Sequence, residues 1–132
     1  MEINITLVQV RVPVTIIGVV GVLDSSSAGY FNEEIRQAID QGARDILLDF
    51  SEVPFMSSVG IRSLSAVYDW LHPVHSSEEK KAISQAVHDG VYRAPHLKLL
   101  NPNRRIQKSI SLVALDRYLD IYHDRVKALG AF

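Results

Sequence analysis

The chain of 132 residues contains no cysteine, which excludes disulfides, thiolate nucleophiles and Cys-based zinc sites and agrees with a reducing compartment. It has no surplus of either charge. Fourteen basic residues against fifteen acidic ones leave a formal net charge of -1. The broad positive field that draws proteins to nucleic acid or anionic lipid is therefore missing, and neither is expected as a partner. No apolar run approaches the roughly 18–20 residues of a spanning helix, and the first residues lack the basic segment and cleavage site of a signal peptide. A cytoplasmic chain without membrane insertion is expected.

Phosphate-cradling loops are absent as well: there is no Gly-x-Gly-x-x-Gly and no Walker loop, so no cofactor is expected. A Gly-x-Ser-x-Gly nucleophile elbow is also lacking. Five histidines, at 72, 75, 88, 96 and 123, raise the question of a metal. His72-x-x-His75 straddles Pro73 without neighbouring carboxylates, so no metal site is expected. A small enzyme ranks last among the functional readings.

What is present suffices for one core: 47% of the residues are hydrophobic, and 132 residues are expected to make a single domain, 1–132. Residues Ile3 to Val12 alternate apolar and polar, but the apolar parity moves from Ile3, Ile5 and Leu7 to Val8, Val10 and Val12. A bulge or register change near Leu7 is predicted. Beyond Pro13, Val14 to Leu23 reads as a second, β-branched strand. Asp24-Ser25-Ser26-Ser27 starts a helix with Tyr30, Phe31, Ile35, Ala38 and Ile39 as its apolar stripe, closed by Gly42.

The run Ile46-Leu47-Leu48-Asp49-Phe50 reads as a buried strand. Pro54 then turns the chain into Ser57, Ser58 and Gly60, and Ile61, Leu64, Tyr68 and Leu71 follow at helical spacing. The paired serines thus stand at a helix N-terminus, where Ser58 is a candidate cap. Strands alternating with helices predict parallel pairing for this half of the sheet, with the serine turn at the carboxyl edge, where ligands and partners dock.

Residues His72 to Pro95 hold Ser76 and Glu79 at capping-box spacing, a stripe of Ala82, Ile83, Ala86 and Val87, and Gly90 as a C-terminal cap. A helix over about 76–89 is predicted. It is too short to stand alone in water, so it is expected to pack on its own domain beside Trp70 or to serve a partner. His96 to Leu100 reads as a strand, and Asn101-Pro102-Asn103 starts a helix with Ile106, Ile110 and Val113 buried. Arg104, Arg105 and Lys108 are read as a solvated face. Tyr118 to Tyr122 and Asp124 to Leu129 complete the chain as a strand and a helix stopped by Gly130.

The run "ILLDFSEVPFMSSVGIRSL" resembles the signature of STAS domains, the sulfate-transporter and anti-sigma-factor-antagonist family, whose pattern is an apolar strand, Asp-Leu-Ser, a turn and Phe-(Ile/Met)-Asp-Ser-Ser-Gly. "GVLDSSSAGYF" and "HLKLLNPNRRIQKSISLVALDRYLDIYHD" resemble its other elements, which leaves residues 73–94 as a family-atypical insertion. Anchoring on Phe55, Met56 and Gly60 places the family's phosphoacceptor on Ser58. Ser57 stands where aspartate is usual, and Val59 where a second Ser or Thr is common.

The resemblance implies a small mixed α/β sheet, largely parallel in the serine-bearing half, with helices packed on it. It implies an anti-sigma factor antagonist that binds an anti-sigma factor with serine kinase activity, under control of phosphorylation at Ser58 and reversal by a serine phosphatase. Met56, Ser57, Val59, Gly60, Arg62 and Asp24 are the candidate partner-binding residues. The alternative is a non-phosphorylated STAS subunit serving as a scaffold or a transporter-associated protein, and a homodimer stands open in either case.

Overall fold

The computed structural model describes residues 1–132. Strand β1 is Glu2–Gln9, β2 Pro13–Val20, helix α1 Ala28–Asp40, β3 Ile46–Glu52, α2 Ser58–Leu71, α3 Ser77–His88, β4 Leu97–Leu100, α4 Arg104–Leu112, β5 Asp120–Tyr122 and α5 Arg125–Gly130, with a 3₁₀ turn at Leu115–Arg117. The five strands lie in the order β1-β2-β3-β4-β5. β1 and β2 are an antiparallel hairpin, and every later neighbour is parallel. The mixed α/β sheet, largely parallel in the serine-bearing half, is as the sequence predicts.

One face of the sheet is covered by α1, α2 and α4, and the other is covered in part, by α5. Ile17, Val19, Ile46, Leu48, Phe50, Leu97 and Leu99 face α1, α2 and α4 and form the larger core with Phe31, Ile35, Leu64, Val67 and Ile106. Their alternates Val14, Ile16, Leu47 and Leu100 form a smaller core with Ala128 of α5. Gly42, at φ +112, takes the left-handed conformation that ends α1, and its N–H reaches the Ile39 carbonyl at 3.0 Å.

Several expectations are corrected. β1 pairs with β2 in unbroken register from Glu2↔Val20 to Gln9↔Pro13, so there is no bulge near Leu7; the irregularity lies between β2 and β3, where the chain from Asp49 to Glu52 carries one residue more than the facing stretch from Gly18 to Val20. The parity change has another cause. Ile3 packs on the larger core, whereas Val8 and Val12 pack on the smaller one, so the strand serves two faces in turn. Val113 is 55% exposed rather than buried, because α4 ends at Leu112 and the chain turns through Ala114 in a left-handed conformation. Gly130 is the last residue of α5, not its stop.

Helix α3 has its predicted place and cap: Ser76 accepts the Glu79 N–H at 3.0 Å, and the Glu79 carboxylate accepts the His75 N–H at 3.2 Å. None of its residues is buried. Ile83, Ala86 and Val87 are half-buried and Ala82 is exposed. Ile83 and Trp70 line a cleft of about 830 Å3 between α3 and the body of the protein, so the two are neighbours across space that neither fills.

Beneath that cleft His72, the C-cap of α2, joins three elements. Its Nδ1 bonds the Tyr68 carbonyl at 2.8 Å, its Nε2 accepts the His96 N–H at 3.1 Å, and its ring stacks on Tyr68 at 4.5 Å. His96 in turn bonds Asp45 at 2.8 Å, and the Tyr68 and Tyr92 hydroxyls meet at 2.7 Å. This end of the sheet is opposite the serine turn.

Candidate functional site

Beyond their paired regions β2 and β3 stay attached. Gly21 N–H bonds the Glu52 carbonyl, Leu23 N–H the Phe55 carbonyl and Ser57 N–H the Leu23 carbonyl, at 3.0, 3.1 and 2.9 Å. Leu23 and Met56 form an isolated parallel bridge. The loops leading into α1 and α2 are thereby held side by side at the carboxyl edge of the sheet.

The two serines divide the labour at the start of α2. Ser57 is the N-cap: its backbone is extended and its hydroxyl accepts the Gly60 N–H at 3.4 Å. This corrects the candidate cap at Ser58, which is the first helical residue instead. Ser58 is exposed and its hydroxyl makes no hydrogen bond within the protein. With no acidic residue in the first turn, the helix offers an uncompensated positive end beside that hydroxyl. Arg62, exposed and four residues along, shares its side of the helix.

Gly60 is needed for the approach of the helix to the β2–α1 loop. A β-carbon there would lie 2.6 Å from the Leu23 carbonyl oxygen and 2.6 Å from Met56 Cγ. Gly60 and Met56 are buried, so both shape the turn from beneath rather than offering contact surface. Val59 is half-buried. Asp24 sits across the Leu23 bridge, half-buried, and accepts the Ser26 hydroxyl at 2.6 Å and the Ser26 N–H at 2.9 Å. Those bonds, the hydroxyl first, hold its carboxyl below its ordinary pKa. Its oxygen is occupied in organising the loop before α1.

Other residues join the site that the sequence did not mark as partner-binding. Val22 and Phe55 are 38% and 42% exposed on the two loops, an apolar margin whose exposure depends on how the loops meet. Asn103, the N-cap of α4, donates from Nδ2 to the Pro54 carbonyl at 3.1 Å and ties α4 to the serine turn. Arg105 places its guanidinium 5.6 Å above the Phe55 ring, and with Lys108 it lines a small cleft against Met56. These basic residues are exposed as read, but they flank the serine turn. Periodicity along α4 carries no sign of that, because the neighbourhood is made by a contact between elements about fifty residues apart.

The family model of the STAS domain matches residues 6–73, more than half of the chain. The chain belongs to the STAS domain family. The match ends at Pro73, where this STAS domain leaves α2 for the segment that carries α3. Solved structures agree in fold. An anti-sigma factor antagonist from Mycobacterium paratuberculosis superposes with a TM-score of 0.71 at 20% identity, covering 98% of this chain and 93% of its own. The phosphorylated form of the Bacillus cell fate determinant SpoIIAA does so with 0.57 at 21% identity, covering 96% and 97%. The murine anion transporter Solute Carrier 26 family member A9 matches with 0.57 at 17% identity, covering 89% of this chain and 17% of its own. No curated protein matches the chain by sequence.

Proposed function

We propose that this STAS domain is an anti-sigma factor antagonist, a binding protein rather than an enzyme, whose docking surface is the edge formed by Asp24, Ser57, Ser58, Val59 and Arg62 with the apolar margin of Val22 and Phe55. The partner in this reading is an anti-sigma factor with serine kinase activity, and Ser58 is the acceptor. The carrying observation is the division between the serines. Because Ser57 caps α2, the Ser58 hydroxyl is exposed and uncommitted at the positive end of the helix.

A phosphate on Ser58 adds a charge of about -1.5 to -2 at a place where backbone N–H groups, the helix dipole and Arg62 favour it, so modification leaves the fold intact. The same charge changes the face a partner must desolvate, which is how modification switches binding off. A serine phosphatase restores the first state. Transcription is then regulated by which partner the anti-sigma factor holds.

Incubation with the candidate anti-sigma factor kinase and ATP, followed by mass spectrometry, tests the reading. Phosphate is expected on Ser58 in the wild type and nowhere in Ser58→Ala. Phosphate on Ser57 would move the acceptor by one residue.

A second reading is favoured by Ser57 itself, since a carboxylate is missing beside the acceptor. In it the domain is an unmodified STAS subunit of a larger assembly, a scaffold or a transporter-associated protein. Partner binding that is intact and indifferent to Ser58→Asp supports this second reading against the first.

A further inference from the structure

The two edges of the sheet are unequal. β5 is three residues long, short enough to offer little to another strand. β1 is eight residues long, regularly paired along its inner side and open along its outer side. Every second residue therefore presents an unpaired N–H and C=O outward. The usual protections are missing: β1 has no proline, no lysine, no bulge and no charged residue from Ile3 to Val10. On the side facing α1, Ile5 is 48% and Leu7 71% exposed, and both line a groove of about 610 Å3 between β1 and the end of α1.

We infer that β1 is a self-association edge, at which two copies of this chain pair their β1 strands antiparallel about a two-fold axis at Thr6 and extend the sheet from one copy into the other. The occupant is a strand, because only a strand satisfies a row of alternating donors and acceptors. A second copy fits for three reasons. Antiparallel pairing about Thr6 sets Ile5 of each copy directly opposite Leu7 of the other, so the exposed apolar pair is self-complementary and covered twice over. The axis is normal to the sheet, so these four side chains stay on the α1 side and close both grooves. With no charge between Ile3 and Val10, no like charges oppose each other, while Glu2 of each copy comes abreast of the Val10–Arg11 bend of the other. Centring on Ile5 instead would set Leu7 opposite Ile3, which is already half-buried in its own core.

This inference is independent of the role of Ser58, which lies at the carboxyl edge of β3. The absence of native cysteine makes a direct test available. Directly opposed residues in an antiparallel pair stand about 4.5–5.5 Å apart at Cα, within disulfide reach. Thr6→Cys, exposed and on the axis, is expected to form a disulfide-linked dimer under mild oxidation. Gln9→Cys, on the same edge but opposite Ile3, is expected to remain a free thiol.

Light scattering should give the wild type twice the 14.8 kDa mass of one chain at high concentration. The double variant Ile5→Lys with Leu7→Lys should halve that mass, with a cooperative melt showing it folded. A wild type of single-chain mass with no Thr6→Cys crosslink would overturn the inference and leave the edge to a strand of another protein. Equal crosslinking of both cysteine variants, or a dimer untouched by the two lysines, would overturn it too.

Discussion

The carbonyl oxygen of Leu23 lies 2.6 Å from the position a β-carbon on Gly60 would occupy. The obstacle is backbone, and that backbone is itself held by its bond from the Ser57 N–H. Gly60→Ala must therefore push α2 off the β2–α1 loop. A loss of about 1–3 kcal/mol is expected in urea unfolding, as for other overpacked sites. Gly29→Ala is the control: nothing lies within 4 Å of a β-carbon there, so helix propensity should give a gain of up to about 1 kcal/mol.

The serines should separate by stability before any partner is added. Ser57→Ala removes the cap of α2 and should cost about 0.5–2 kcal/mol, toward the low end because its bond to Gly60 is 3.4 Å long. Ser58→Ala removes a hydroxyl that bonds nothing and should stay within about 0.5 kcal/mol of wild type. Thermal melts of the two variants side by side decide this, and equal losses would return the cap to Ser58.

His72 should make stability depend on pH in a defined direction. Burial pushes its pKa down, against the opposing pull of its bond to the Tyr68 carbonyl, and the neighbouring His96 lowers it further while Asp45 and Asp69 raise it. The unfolded chain thus takes up the proton at a higher pH than the folded one, so protonation favours unfolding. The contribution is fully present above the ordinary value of 6.5 and is lost as pH falls through the lowered folded value. A second ring proton would also face the His96 N–H that Nε2 now accepts. Unfolding midpoints measured downward from neutral pH should decline in wild type and decline less in His72→Gln.

Lys98 is 4% exposed in the middle of β4, with its ammonium 3.6 Å from Asp120 and 5.2 Å above the Phe132 ring. Asp120 also holds Arg93 at 2.9 Å. Asp120→Ala strands the buried ammonium and should cost about 2 kcal/mol or more, short of the roughly 3–5 kcal/mol of a fully buried pair because 27% of the Asp120 side chain is exposed. Lys98→Met keeps the stem and removes the charge, so it should lie within about 1.5 kcal/mol of wild type. A Lys98→Met variant as damaged as Asp120→Ala would show that the ammonium itself is needed.

Local signals in the sequence determined the elements. The apolar run Ile46–Phe50, the Pro54 turn and the stripe from Ile61 to Leu71 state a strand and a helix because period and punctuation are properties of neighbouring residues. The cap at Ser76 and the stop at Gly42 are of the same kind, and the motif around Phe55, Met56 and Gly60 placed Ser58 at the helix start. Which serine caps α2 was decided only in three dimensions, since both are good caps and the choice depends on where the Leu23 carbonyl fixes the Ser57 backbone. The same holds for the two faces served by β1, the burial of Lys98 inside a strand that reads Leu-Lys-Leu-Leu, and the placement of Arg105 over Phe55. Each depends on which distant element packs against a residue, and that information is carried by the contact and not by the residue's neighbours in the chain.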